Sequence, residues 1–237
     1  MKKKLLTLAI ILFFVFCKEK YNPNSAGIQK SEINQKINEF MVKAEKTTDD
    51  NEKAAFWGEA SELLCEKGDF KKALQVARDA KRLNPTNKKA LTSIAENYLY
   101  ERKFSEAEIV LQEVLGRDAG YDRANYLIGN VYLFKNKLPQ AEKYFQKAID
   151  SNPTHLTAQI NLAVVFDRKG NSLEAIKILD RAIEKNPTMA EPYKNAGILS
   201  EKSGKKAEAK KYYEKYLELN PYGDDVEAVK LWLKNLA

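Results

Sequence analysis

Few side chains in this sequence have the type and spacing needed for catalysis or metal binding. The one histidine, His155, has no second histidine with which to form a ligand set or a nucleophile–base pair. The two cysteines, Cys17 and Cys65, are too few for a disulfide framework or a CxxC metal site. Glu59 and Glu62 lie one helical turn apart, but such carboxylate pairs are common on solvated helices. We therefore predict a protein that is not an enzyme and that binds no metal or cofactor.

The composition favours helices and argues against nucleic-acid binding. The chain has 40 basic and 33 acidic residues, and its formal net charge is +7. These charges are mixed along the chain, whereas a nucleic-acid footprint would cluster the basic residues on one element. Glycine and proline are sparse, at 10 and 7 residues, while Lys, Glu, Ala and Leu are abundant. We predict an all-α protein whose partners do not include nucleic acid.

The predicted helices of the chain recur at a fixed interval of 34 residues. The interval is marked by five alanines: Ala73, Ala107, Ala141, Ala175 and Ala209. Such a period indicates supersecondary units stacked side by side, each of which buries its apolar face against a neighbour. We predict five repeats within residues 54–223, at 54–87, 88–121, 122–155, 156–189 and 190–223. Each repeat should contain two helices around a turn at Gly68, Arg102, Asn136, Gly170 or Gly204.

Two further positions of the repeat combine small and large side chains. The eighth position is always small, with Ser61, Ala95, Gly129, Ala163 and Gly197. One position of the second helix varies in size, with Ala77, Leu111, Phe145, Leu179 and Tyr213. Small and large residues at fixed helical spacing predict an interlocking core, in which the recurring alanines mark close helix contacts.

The repeats resemble tetratricopeptide repeats. Trp57 holds the tryptophan position of that pattern, and the third repeat reproduces most of it with Gly129, Tyr132, Ala141, Phe145, Ala148 and Pro153. The resemblance covers residues 54–223 and implies a right-handed α-solenoid of helix-turn-helix repeats. Its concave groove would be lined by the first helix of each repeat and would bind a protein or peptide. Carrying the pattern over position by position gives the partner-binding candidates Tyr126, Asn130, Phe134, Ile160, Asn161, Val164, Arg168, Lys194 and Asn195.

Capping helices are expected at both ends of the repeat array. Ser31 is a helix N-cap candidate for a segment, residues 31–53, in which Ile33, Ile37, Phe40, Met41 and Ala44 share one face. At the other end, Asp224 and Asp225 are expected to cap a final helix within residues 224–237. Both helices would cover the open apolar face of a terminal repeat.

The N-terminal residues resemble a bacterial lipoprotein signal. Residues 1–17 contain three lysines, an unbroken apolar run over residues 5–16 and then Cys17, and residues 18–30 read as a flexible tether. The resemblance implies that Cys17 is lipidated and anchors the chain to a membrane. Phe16 departs from the pattern, which usually has a small residue there. A cleaved signal without lipid and an uncleaved short anchor are the alternatives.

Together these features predict a non-enzymatic interaction scaffold or adaptor, anchored by lipid in a bacterial cell envelope on the periplasmic or outer-membrane side. The arrangement resembles pilotins, which assist secretin assembly, and adaptors that gather cell-wall enzymes. An alternative from another class is an envelope protein that binds a small molecule or glycan through exposed aromatic side chains. An enclosed cavity would favour that alternative, and an open groove would favour a peptide.

Overall fold

The computed structural model describes residues 26–236, and within them the chain forms α-helices and no strands. The twelve helices are α1 (Ala26–Lys46), α2 (Asp50–Lys67), α3 (Phe70–Leu83), α4 (Lys88–Tyr100), α5 (Phe104–Arg117), α6 (Asp122–Phe134), α7 (Leu138–Ser151), α8 (Leu156–Arg168), α9 (Ser172–Lys185), α10 (Ala190–Lys202), α11 (Lys206–Leu219) and α12 (Val226–Lys234). This is the predicted all-α helical repeat fold. The helices belong to two compact units, an N-terminal unit that ends at Val114 and a C-terminal unit that begins at Leu115.

The turn inside each repeat is built as the sequence predicted. One residue per turn has left-handed backbone geometry: Gly68 (φ 82°), Arg102 (φ 61°), Asn136 (φ 55°), Gly170 (φ 85°) and Gly204 (φ 77°). Such a residue ends the first helix and lets its last carbonyl groups accept hydrogen bonds from the turn. Gly68, for example, donates its backbone N–H to the Cys65 carbonyl oxygen at 3.0 Å. Glycine adopts this geometry without a side-chain clash, and asparagine tolerates it.

The recurring alanines are core residues, as predicted. Ala73, Ala107, Ala141, Ala175 and Ala209 are all fully buried. The eighth position of the repeat meets the second helix directly in the third and fifth repeats. A Cβ atom placed on Gly129 would lie 2.7 Å from the Phe145 ring, and one on Gly197 would lie 2.5 Å from the Tyr213 ring. These glycines are therefore required because an aromatic ring occupies the space of their missing side chains.

Helix α1 covers the first repeat with the predicted apolar face. Ile37 is buried among Ala60, Leu64 and Cys65, and Phe40 packs at the edge of the same cluster, with Trp57. The helix begins at Ala26, five residues before the predicted cap Ser31, so it includes part of the segment predicted to be a tether. No proline interrupts residues 26–30, and a helix that is anchored by its later turns extends through them.

Helix α12 closes the other end of the C-terminal unit. Val226 and Val229 are buried, and Trp232 packs its ring 5.8 Å from the Tyr213 ring. Asp225 is the residue before the helix, but its carboxylate makes no capping hydrogen bond, contrary to the prediction. It is used instead by Lys194 and Tyr216. Among residues 26–236, no helix is both long enough and apolar enough to cross a bilayer.

Candidate partner-binding site

The predicted partner-binding residues lie on the first helices of three successive repeats, α6, α8 and α10, all in the C-terminal unit. Tyr126, Asn130 and Phe134 are spaced four residues apart on α6, so they share one face of that helix. Helix α8 lies beside α6 and also beside α10. This arrangement brings the candidate residues of neighbouring repeats onto adjacent helices.

Four apolar candidates are partly exposed on the first two of these helices: Tyr126, Phe134, Ile160 and Val164. Tyr126 is held in place by its neighbours, since its ring centroid lies 4.8 Å from that of His155 and 6.2 Å from that of Phe145. A tyrosine fixed by its neighbours loses little conformational freedom when a partner covers it, which favours its use in binding.

The two candidate asparagines bind each other. Asn130 and Asn161 are only 1% and 5% exposed, and the Asn161 Nδ2 donates to the Asn130 Oδ1 at 2.9 Å. The sequence predicted that both asparagines would contact a bound partner. The structure shows instead that they join α6 to α8, so part of their hydrogen-bonding capacity is already used inside the protein.

Lys194 is not available to a partner, and its assignment to the binding face is wrong. The residue is 5% exposed, and its Nζ forms an ion pair with the Asp225 Oδ2 at 2.8 Å. The ammonium also lies 5.4 Å from the centroid of the Tyr216 ring. A buried ammonium needs such partners because removing it from water without them is costly. Asn195 stays partly exposed, but its Nδ2 donates to the Glu191 carbonyl oxygen of its own helix at 2.8 Å.

Arg168 is exposed and places a positive charge at the end of α8. Its Nη1 donates to the Leu133 carbonyl oxygen of α6 at 3.3 Å. Partial removal from water lowers the pKa of the guanidinium, and the neighbouring Asp167 carboxylate acts in the opposite direction. Arginine nevertheless remains protonated at neutral pH, because its ordinary pKa is above 12. Arg168 therefore offers a permanent positive charge beside the partly exposed apolar side chains.

The remaining residues that the sequence singled out have structural partners. The Lys89 Nζ bridges Glu59 at 2.7 Å and Glu62 at 3.1 Å. Partial burial lowers the pKa of Lys89, but the two carboxylates outweigh this effect and the net shift is upward. The carboxylate pair is thus part of an ion cluster in the N-terminal unit.

His155 is half-buried at the start of α8. Its Nδ1 accepts a hydrogen bond from the Ala158 backbone N–H at 3.4 Å. It therefore acts as the N-cap of the helix. Cys65 is a free, buried thiol. Within residues 26–236, no group of three or more His, Cys, Asp or Glu side chains is arranged to hold a metal ion.

Comparisons with known proteins agree with this architecture. Residues 126–190 and residues 190–222 match two models of the tetratricopeptide repeat. No curated protein sequence matches the chain. Repeats of this kind generally form protein–protein interaction scaffolds.

Several solved structures share the fold. TTC0263, a tetratricopeptide-repeat protein of Thermus thermophilus, is 19% identical, with a TM-score of 0.64 over 76% of this chain and 96% of that chain. The pilF protein of Pseudomonas aeruginosa is 16% identical, with a TM-score of 0.63 over 76% of this chain and 90% of that chain. YrrB, described as a tetratricopeptide-repeat protein with an unusual peptide-binding site, is 19% identical, with a TM-score of 0.56 over 83% and 97%. The chain therefore contains tetratricopeptide repeats, matched in sequence over residues 126–222, and has the all-α fold of the proteins that carry them.

Proposed function

We propose that this chain is a non-enzymatic scaffold that holds a segment of a partner protein against helices α6 and α8 of its C-terminal unit, and that its N-terminus tethers it to a bacterial envelope membrane. The observation that carries the binding proposal is the contrast in exposure on these helices. Their polar side chains Asn130 and Asn161 are buried and bonded to each other, while Tyr126, Phe134, Ile160 and Val164 remain partly open. Partly exposed apolar and aromatic side chains beside a permanent charge are typical of interaction surfaces.

A peptide segment suits this surface for two reasons. The apolar candidates come from two neighbouring helices, so an extended chain that crosses α6 and α8 meets both sets. Arg168 lies at the end of α8, where it would select a carboxylate or a backbone carbonyl of the partner. The description of YrrB as a protein with a peptide-binding site supports this choice of ligand class.

The proposed membrane tether rests on the sequence, because residues 1–25 lie outside the described residues. Three lysines, the apolar run over residues 5–16 and then Cys17 are its basis. We expect the Cys17→Ser variant to leave the membrane fraction of native cells. The N-terminal peptide of the natural protein should carry acyl mass on Cys17. An N-terminus at another residue, with no lipid, would contradict the tether.

The binding proposal is tested by truncating its aromatic side chains. Crosslinking in native cells and mass spectrometry would first identify the partner. The Tyr126→Ala and Phe134→Ala variants should then each bind that purified partner more weakly by about 1–2 kcal/mol, or roughly 5- to 30-fold in Kd. Circular dichroism should show unchanged helicity.

The matched control is Lys143→Glu on α7, a second helix of the repeat, where the side chain is exposed. It should leave the Kd nearly unchanged. If Lys143→Glu abolishes binding while both aromatic truncations leave it intact, the partner binds elsewhere and the proposal is wrong.

A further inference from the structure

A pocket lies between α11 and α12 in the C-terminal unit, and none of its lining residues belongs to the proposed peptide-binding face. It is an open pocket of about 610 Å³. Apolar side chains line it, chiefly Leu233 and Leu236, both of which are partly buried. Four lysines line it as well: Lys206, Lys210, Lys230 and Lys234. Among the described residues, the only acidic one in its lining is Glu214.

The positive charge of this pocket is weakly compensated. Lys210 lies 3.9 Å from Glu214, and Lys230 lies 2.7 Å from Glu227. Both pairs are mostly exposed, and in each pair the two residues lie three or four positions apart on the same helix. Such pairs contribute little to stability, and their lysines can readily bind other partners. Lys206 and Lys234 form no ion pair within residues 26–236, and both are exposed. Lys206 also opens α11, and the partial positive charge of a helix N-terminus adds to the attraction for anions.

We propose that this pocket binds an acidic segment of a protein, which inserts one apolar side chain against Leu233 and Leu236 while its flanking carboxylates meet the lysines. The shape of the pocket selects this ligand over a membrane surface. Its apolar side chains Leu233 and Leu236 are partly buried, whereas a bilayer is flat and requires apolar groups that project into it. The charge selects against a neutral apolar ligand, because such a ligand would remove lysines from water without pairing them.

The site is independent of the proposed face on α6 and α8, since the two share no residue. A partner protein that places one segment in each site would bind this chain more tightly than either segment alone, provided that the linker between the segments spans both sites. The chain would then recognise two features of a partner, an apolar segment and an acidic one.

The experiment uses isothermal titration calorimetry with the full-length chain and a short synthetic peptide of Glu and Asp residues around one central Phe. Two matched peptides replace the acids by Gln and Asn, or the Phe by Ser. We expect the first peptide to bind and each matched peptide to bind at least about tenfold more weakly. Raising the salt concentration should weaken binding as well, because the contact is electrostatic.

The decisive variant is the double charge reversal Lys206→Glu/Lys234→Glu. It should weaken binding of the acidic peptide by about tenfold or more. Both side chains are exposed, so helicity by circular dichroism should not change. The matched control Lys143→Glu/Lys185→Glu changes the net charge equally at exposed positions of α7 and α9, and it should leave the Kd within about twofold.

The proposal is overturned if the acidic peptide does not bind, if the neutral peptide binds equally well, or if both double variants behave alike. Vesicles of phosphatidylcholine with phosphatidylglycerol form a separate arm. If the pocket variant loses vesicle binding while the acidic peptide has no affinity for the natural protein, the pocket is a lipid contact and the peptide proposal is wrong. Tyr126→Ala should leave peptide affinity unchanged, which separates this test from that of the first site.

Discussion

The N-terminal and C-terminal units fill equivalent repeat positions with side chains of different size. In the first repeat the eighth position is Ser61, whose Oγ donates to the Gly58 carbonyl oxygen at 2.8 Å and accepts from the Ser93 hydroxyl, with the two Oγ atoms 3.0 Å apart. The equivalent position of the fifth repeat is Gly197, which leaves room for the ring of Tyr213. The first repeat thus joins neighbouring helices at this position by a small hydrogen-bonded side chain, and the fifth repeat does so by an aromatic ring. The comparison shows that the same position of the repeat can serve a helix contact in two ways, by a small hydrogen-bonded side chain or by leaving room for an aromatic ring.

The two units also differ in how far the lysines of their ion pairs are exposed to water. Lys89 in the N-terminal unit is 34% exposed and has two carboxylate partners, whereas Lys194 in the C-terminal unit is 6% exposed as a side chain and has Asp225. A partly exposed cluster keeps some hydration when one partner is lost, but a buried ammonium does not. The C-terminal unit should therefore be the more sensitive to loss of a single carboxylate.

The largest expected effect comes from Asp225→Ala. This change removes the carboxylate that pairs with the buried Lys194 ammonium and that accepts the hydrogen bond of the Tyr216 hydroxyl. It should lower the free energy of unfolding by about 3–5 kcal/mol, measured by urea denaturation and circular dichroism.

Two controls sharpen that result. Glu227→Ala removes an exposed carboxylate from the helix that Asp225 precedes, and Glu62→Ala removes one of the two partners of Lys89. Both should have much smaller effects. A loss of similar size in all three variants would show that burial of the ion pair does not set the cost.

A feature common to both units gives the next effect in size. Ala73→Leu in the N-terminal unit and Ala175→Leu in the C-terminal unit each add volume at a fully buried helix contact. Each should cost about 1–3 kcal/mol of stability, measured as a lower Tm and a lower urea midpoint. Ala207→Leu, at an exposed position of α11, is the matched control and should change neither. Melting curves identical to that of the natural protein for Ala73→Leu and Ala175→Leu would contradict the packing described here.

The contact between Gly197 and the Tyr213 ring predicts a smaller effect, which a second substitution should partly relieve. Gly197→Ala places a Cβ atom 2.5 Å from the Tyr213 ring. The resulting steric clash should destabilise the fold by more than the higher helix propensity of alanine stabilises it. We expect a net loss of about 1–2 kcal/mol in urea denaturation. The double variant Gly197→Ala/Tyr213→Leu reproduces the combination found at Ala163 and Leu179 in the fourth repeat. It should cost less than the sum of the two single changes, and strict additivity would argue against a shared volume.

The smallest effect is expected in the N-terminal unit. Ser61→Ala removes the hydrogen bonds to the Gly58 carbonyl oxygen and the Ser93 hydroxyl but leaves the volume almost unchanged. The loss of stability should be about 1 kcal/mol. Ser61→Gly should cost more, because it also removes a buried methylene from a site that has no aromatic ring to fill the space. If Ser61→Gly were neutral, the contrast between the two units would fail.

The sequence predicted the features whose positions depend on spacing within one repeat. The 34-residue interval located the turn residues such as Asn136 and the buried alanines such as Ala141, because each depends on local backbone geometry and on the neighbouring helix. It also located the helices that carry the candidate site. Spacing could not show which polar side chains bind each other. Lys194 pairs with Asp225 in the segment that precedes α12, and a residue at that position reads equally well as a helix cap.

The pocket between α11 and α12 was missed for a similar reason. Its lysines lie in a region where Lys and Glu alternate, and such a pattern is typical of any solvated helix face. They become a distinct feature only when α12 packs against α11 and brings Lys234 and Leu233 beside Lys206. That packing depends on buried residues such as Val229 and Tyr213, which say nothing in the sequence about the charges around them.

The chain has two tryptophans, Trp57 in α2 and Trp232 in α12, and they belong to different units. Trp57 packs at the edge of the cluster beneath α1, and Trp232 packs against Tyr213. Since indole fluorescence responds to the polarity around the ring, each unit contains its own optical reporter. The single variants Trp57→Phe and Trp232→Phe would leave emission from one unit at a time. The order in which the two ends of the repeat array melt can therefore be measured without attaching a label.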